Sequence, residues 1–153
     1  MLKTTKRTFL QRSTSLLTFS LFSGMHSVFA DWQKELFDHA DSDKLISSLT
    51  NNAELVDSNA IHIKAPEIAE NGAVVPVTVE ASINNVKNIS ILVDNNPSPL
   101  TSSYDINPKL EAYVSTRVKM AKSSNIIALV STTGNKYFTA SKSIKVTIGG
   151  CGG

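Results

Sequence analysis

The chain has 153 residues, with 15 lysines and arginines, 13 aspartates and glutamates, and a single cysteine. This length suits one domain, and the scattered basic residues with few aromatic residues among them exclude a typical nucleic-acid-binding module. The charge is unevenly distributed, because residues 31–108 hold 12 acidic and 4 basic residues, whereas residues 109–153 hold one acidic and 7 basic residues. The basic part contains the cysteine. Its charge favours anions near the thiol, although a solvated face without a function has the same pattern.

Residues 1–30 have the composition of a secretory signal peptide. Four basic residues and no acidic residue come first, an apolar stretch follows over residues 16–25, and the small residue Ala30 ends the segment. The apolar stretch is much shorter than the ~20 residues of a membrane-spanning helix. We therefore predict export, cleavage after Ala30 and no membrane anchor. Residues 5–11 resemble the twin-arginine export motif, but Lys6 replaces the usual first arginine, which leaves the export route open.

Residues 31–59 are predicted to form a helical N-terminal segment, since Trp32, Leu36 and Ala40 recur at the four-residue spacing of an amphipathic helix. Beyond residue 59 the apolar residues alternate with period two or form short apolar runs, which is typical of strands. Strands are predicted within residues 60–64, 73–81, 88–94, 112–120, 125–130, 136–140 and 143–148.

Two local features refine the strand pattern. Residues 133–135, Thr-Gly-Asn, predict a hairpin turn. Pro76 predicts an edge strand or the start of a strand, because proline cannot donate a hydrogen bond to a neighbouring strand. Seven or so short strands without interleaved helices predict an all-β fold, an immunoglobulin-like antiparallel β-sandwich over residues 60–148. Residues 149–153 are then expected to form a flexible tail.

The only cysteine, Cys151, lies in this tail between four glycines, which are Gly149, Gly150, Gly152 and Gly153. In an exported protein an unpaired cysteine indicates either an intermolecular disulfide or a reactive thiol. Glycine has no Cβ, so its backbone can enter a narrow cleft, and Cys151 can extend roughly 10 Å beyond Ile148. The tail therefore predicts a carrier arm whose cargo is processed by other proteins.

The sequence predicts no catalytic residue, metal or cofactor. His39 and His62 are both distant in sequence from Cys151, and these three residues do not have the spacing of metal ligands. Moreover, a thiol flanked by glycines is not held in the fixed geometry that catalysis requires. We therefore predict that the protein is not an enzyme.

Four stretches together resemble the SoxY family of bacterial thiosulfate oxidation, namely residues 65–79, 93–100, 115–124 and 145–153. The resemblance implies a periplasmic sulfur carrier that holds thiosulfate-derived intermediates covalently on Cys151. It also implies a heterodimer with a SoxZ-type partner protein. Transient partners would be a haem c enzyme that couples thiosulfate to the cysteine and a thiosulfohydrolase. The remaining sulfane sulfur would be either oxidised by a sulfane dehydrogenase or passed on elsewhere. The sequence has no C-x-x-C-H haem attachment motif, in agreement with a carrier that takes its redox chemistry from partners.

Two alternatives belong to other classes of protein. A C-terminal Gly-Gly also occurs in ubiquitin-like sulfur carriers, but these require activation by ATP in the cytoplasm, which the predicted signal peptide disfavours. The other alternative is an exported interaction or adhesion sandwich whose cysteine forms an intermolecular disulfide. It would work as a homodimer that reductant dissociates.

Overall fold

Nine strands and one short helix make up the part of the chain that the computed structural model describes, residues 41–107 and 109–148. The helix α1 is Ser42–Leu49. The strands are β1 (Leu55–Asp57), β2 (Ile61–Lys64), β3 (Ile68–Asn71), β4 (Val75–Ala81), β5 (Val86–Val93), β6 (Leu100–Asp105), β7 (Ala112–Val118), β8 (Ser124–Thr132) and β9 (Tyr137–Ile148). No helix within these two ranges is long and apolar enough to cross a membrane.

The strands form two sheets. The larger sheet has the order β1-β9-β8-β5-β6, with β3 also on β9, and the smaller sheet has the order β2-β4-β7. Neighbouring strands are antiparallel, except that β1 and β3 run parallel to β9. The predicted β-sandwich is confirmed. The two parallel pairings are an addition that the sequence pattern did not show.

The core lies between the two sheets and is built from the alternating residues of each strand. It comprises Val75, Val77 and Val79 of β4, Ile89, Ile91 and Val93 of β5, Val114 and Val118 of β7, Ile126, Ala128 and Val130 of β8, and Ile144 of β9, all buried. Complete burial of one such valine or isoleucine contributes roughly 1.5–3 kcal/mol. The period-two pattern therefore identified the inward faces of these strands correctly.

A second apolar cluster lies on the outer face of the larger sheet, under α1. Leu45 of the helix packs there with Leu92, Leu100 and Leu129, and all four are buried. Because α1 covers this face, β5 and β8 have apolar residues on both sides. This burial on both faces explains the uninterrupted apolar run within β8.

The helix begins at an acidic N-cap. The side chain of Asp41 accepts hydrogen bonds from the backbone N–H groups of Asp43 and Lys44, and the bond from Lys44 lowers the pKa of Asp41. Ser42 Oγ donates to Asp94 Oδ1 at 2.7 Å, which ties the start of the helix to the residue after β5.

Pro76 is the second residue of β4, and β2 pairs only with Thr78 and the residues after it. The prediction of a strand start is therefore confirmed. The predicted hairpin is also confirmed, because β8 and β9 are joined by four residues, of which Asn135 has a positive φ of 55°. The two stretches predicted within residues 136–148 are one continuous strand, β9, of 12 residues.

Several predicted segments lie outside the described residues. These are the signal peptide over residues 1–30, the helix around Trp32, Leu36 and Ala40, and the tail over residues 149–153. Within residues 31–59, which were predicted as a helical segment, the structure has both α1 and β1, and β1 pairs with β9.

Candidate functional site

The strand that leads to Cys151 is held in place up to its last residue, Ile148. The backbone N–H of Gly72 donates to the carbonyl oxygen of Ile148 at 2.7 Å, and Ile148 is paired in register with Asn71. One residue earlier, Thr147 Oγ1 donates to the carbonyl oxygen of Glu70 at 2.8 Å. The chain therefore leaves the sandwich from a fixed point, three residues before the cysteine.

The loop between β7 and β8 supports this exit point from a second side. The backbone N–H of Met120 donates to the carbonyl oxygen of Gly72 at 2.7 Å, so that Gly72 connects this loop to Ile148. Ser123 Oγ accepts a hydrogen bond from the backbone N–H of Val146 at 2.9 Å. These contacts join segments that are 23 or more residues apart in sequence.

The loop between β5 and β6 completes the arrangement through Asn96. Its Nδ2 donates to the carbonyl oxygen of Lys119 at 2.7 Å, and its Oδ1 accepts from the backbone N–H of Ala121 at 2.9 Å. Next to it, the backbone N–H of Asn95 donates to Ser124 Oγ at 2.9 Å. One asparagine side chain thus fixes the β7–β8 loop.

We call the group formed by residues 70–74, 94–98, 119–123 and 146–148 the tail end of the sandwich. Each of these segments lies within one of the four stretches that resemble the SoxY family. The stretches are far apart in sequence, and the fold brings them together around Ile148, the last described residue before Cys151. The sequence did not predict the residues whose hydrogen bonds connect these segments. The only sequence feature that could have indicated them is their position in polar loops within the stretches that resemble the SoxY family.

The surface at and beside the tail end combines apolar and basic side chains. The exposed fractions are 58% for Ile68, 54% for Val74 and 68% for Ile148. Three of the seven basic residues in the second part of the chain are also here or next to it, namely Lys119, Lys122 and Lys145, all exposed. The ion pairs between described residues are Lys44–Asp41 and Lys64–Glu80, so none of these three lysines is paired within that part of the chain.

Cys151 and the glycines around it, Gly149, Gly150, Gly152 and Gly153, lie outside the described residues, as does His39. His62 is exposed on β2 and is not part of the tail end. No group of three or more histidine, cysteine, aspartate or glutamate residues that could hold a metal ion is found in residues 41–107 and 109–148.

The opposite end of the sandwich, which we call the hairpin end, consists of residues 82–86, 107, 109–113 and 133–136. An open cleft of about 760 Å³ lies here between residues 80–86 and residues 110–113. Its rim carries two exposed apolar side chains, Leu110 and Tyr113. The turns at this end contain Asn85 and Asn135, both with positive φ.

Comparison with known proteins gives one family match. The profile of the family described as sulfur oxidation protein SoxY matches residues 46–151. The chain is similar to the structure of the sulfur carrier protein SoxY from Chlorobium limicola f thiosulfatophilum, with 45% sequence identity and a TM-score of 0.64 over 69% of this chain and 96% of that chain. No protein with a curated function matches the chain.

A more distant similarity concerns the fold alone. The superoxide reductase (neelaredoxin) from Ignicoccus hospitalis has 19% identity to this chain and a TM-score of 0.52, over 75% of this chain and 98% of that chain. At this level of identity the similarity shows a shared β-sandwich and nothing about activity.

Proposed function

We propose a function in sulfur transport for this chain, which belongs to the SoxY family of sulfur oxidation proteins. Its role is that of a carrier rather than an enzyme, as the sequence predicted. The finer proposal is that Cys151 holds thiosulfate-derived intermediates in the periplasm. The observation that carries it is the extent of the family match, which runs from residue 46 to residue 151 and so includes the cysteine itself.

The proposed loading step joins the Cys151 sulfur to the outer sulfur of thiosulfate. A disulfide-type bond forms to give a cysteine S-thiosulfonate, the thiol loses its proton, and two electrons pass to a haem c enzyme. Water then attacks the sulfonate sulfur in a separate hydrolase. The bond between the sulfane and sulfonate sulfurs breaks, sulfate leaves, and Cys151 keeps the sulfane sulfur as a persulfide. That sulfur is then either oxidised by a sulfane dehydrogenase or passed on to another acceptor.

The proposed permanent partner is a SoxZ-type protein. Cys151 is the only cysteine of the chain and must stay free for its cargo, so this heterodimer forms without a disulfide. Membership of the SoxY family supports an association of this kind, because it implies partners from the Sox system.

The test is intact-mass analysis of the protein purified from the periplasm of cells that oxidise thiosulfate. We expect a mature chain that begins at Asp31 and carries adducts that reductant removes and that map to Cys151. The Cys151→Ser variant should have the same N-terminus, the same thermal stability and no adduct. A single mass that reductant does not change, or adducts on another residue, would refute the proposal. A homodimer that reductant dissociates as the main species would favour the structural alternative.

A further inference from the structure

The fixed position of Ile148 limits where an enzyme that acts on Cys151 can bind. Ile148 is held by Gly72 and Asn71, and only three residue steps separate it from Cys151. Each step spans at most ~3.3–3.6 Å, so the Cα atom of Cys151 stays within roughly 10 Å of that of Ile148 in any conformation. An active site that receives the cysteine must come equally close to Ile148. Its entrance must therefore lie within about 10 Å of Ile148, which is close enough for contact with the tail end.

The tail end has the composition of a contact surface. Val74 and Ile148 are more than half exposed, and they belong to segments that Gly72 joins directly. Isolated exposed apolar residues are ordinary, but adjacent ones mark sites of association. Ile68, which is also more than half exposed, lies further along β3, where it is paired in register with Lys145 of β9.

The charges around this apolar centre are arranged asymmetrically. Lys119 and Lys122 lie on the β7–β8 loop, which has no acidic residue, whereas Glu67 and Glu70 lie at or beside β3 together with Lys145 of β9, and all five are exposed. Opposite charges across an interface increase the rate of association and fix the orientation of the partner. A partner that binds here would place carboxylates opposite the β7–β8 loop.

We propose that the tail end is the docking surface for the hydrolase that releases sulfate from the cysteine adduct. Val74 and Ile148 make the apolar contact, and Lys119 and Lys122 face carboxylates at the entrance of the enzyme's active site. This inference rests on the proposed function, because it requires that separate enzymes act on Cys151. It adds that the hydrolase recognises the sandwich as well as the cargo.

The test compares an aspartate at each end of the sandwich. Val74→Asp changes the tail end, and Leu110→Asp is the matched control at the hairpin end, where the side chain is 68% exposed. Tetrathionate loads each protein without an enzyme, since the Cys151 thiolate displaces thiosulfate and keeps the S-thiosulfonate. The sulfate-releasing hydrolase of the same organism is then added, and its KM and kcat are measured for each loaded carrier.

We expect equal chemical loading and equal thermal stability for the wild-type protein, Val74→Asp and Leu110→Asp. With the hydrolase, Val74→Asp should raise KM roughly tenfold or more, as for a charge placed in the apolar centre of an interface, while Leu110→Asp should leave it unchanged. Lys122→Gln should weaken the dependence of KM on salt. Equal KM values for Val74→Asp and Leu110→Asp would overturn the docking surface. If the hydrolase releases no sulfate from the loaded wild-type carrier, the proposed function fails, and the docking surface with it.

Discussion

At the tail end of the sandwich, hydrogen bonds join segments that are far apart in sequence, whereas at the hairpin end most of the turns close on themselves. Asn96 contacts residues 23 and 25 positions away, and Ser123 contacts Val146. At the hairpin end, Asn107 Oδ1 accepts a bond from the backbone N–H of Lys109, only two residues further on. Both ends expose apolar side chains. The hairpin end has a backbone hydrogen bond between its turns, from the N–H of Thr133 to the carbonyl oxygen of Asn85 at 2.9 Å, whereas at the tail end polar side chains also bind distant segments.

Under the proposed function this difference has a purpose, because a short arm that ends in Cys151 would need a fixed base to deliver its cargo. Three residues of reach leave little tolerance for movement of Ile148. Two loops without regular secondary structure provide that base, namely residues 94–98 and 119–123. Their polar side chains bind backbone groups of neighbouring segments and so replace the strand pairing that is missing at the end of the sandwich.

The largest effect on stability is expected from Asn96→Ala. This change removes two hydrogen bonds to the β7–β8 loop, so the free energy of unfolding should fall by about 2 kcal/mol. Asn107→Ala removes one local, exposed hydrogen bond at the hairpin end and should change the free energy of unfolding by less than about 0.5 kcal/mol. Urea unfolding of the two variants measures the difference. Equal losses would show that the two ends are not held differently.

The smallest effect is expected at the exposed ion pair of Lys64 and Glu80, which borders the hairpin-end cleft. Lys64 Nζ lies 2.8 Å from Glu80 Oε1, and the hydrogen bond to Glu80 raises the pKa of Lys64 above its ordinary value of 10.5. A raised lysine pKa adds stability that is fully present below the unfolded-state value and is lost as the pH rises through the folded-state value.

Wild type and Lys64→Gln should therefore differ slightly in Tm at neutral pH and converge in strongly alkaline solution. Thermal unfolding over a series of pH values checks this. A Tm difference that persists or grows as the pH rises would contradict the assignment of this pair.

The sequence predicted those strands that bury one clear face. β4, with Val75, Val77 and Val79 inward, shows why, since strict alternation identifies a strand and its orientation together. β6 was missed because it is an edge strand with the mostly polar sequence LTSSYD. β1 and β3 were missed because they have only three and four residues and depend on parallel pairing with β9 at the other end of the chain.

At the candidate site the sequence predicts Cys151 as the carrier residue, and this stays a prediction because the cysteine lies outside the described residues. Cys151 was identified because it is the only cysteine and because glycines flank it. Both are properties of the sequence alone. The contacts that fix the base of the arm were not predicted. Gly72, Asn96, Met120 and Ile148 are each more than 20 residues apart, and no local pattern shows that such residues meet. Only the folded sandwich brings them together.

The most direct test of the arm and its firm base pairs thermal unfolding with sulfur-transfer turnover for Gly152→Val, with Gly134→Val as the control. A Cβ at Gly134 of the hairpin would have Thr132 Oγ1 as its nearest neighbour at 3.9 Å, so this control should fold and transfer sulfur normally. Gly152→Val adds bulk beside the cysteine and removes access to positive φ. We predict an unchanged Tm with turnover reduced at least roughly tenfold, because a misplaced reacting group costs about that much or more. Normal turnover, or loss of the fold together with turnover, would contradict the account.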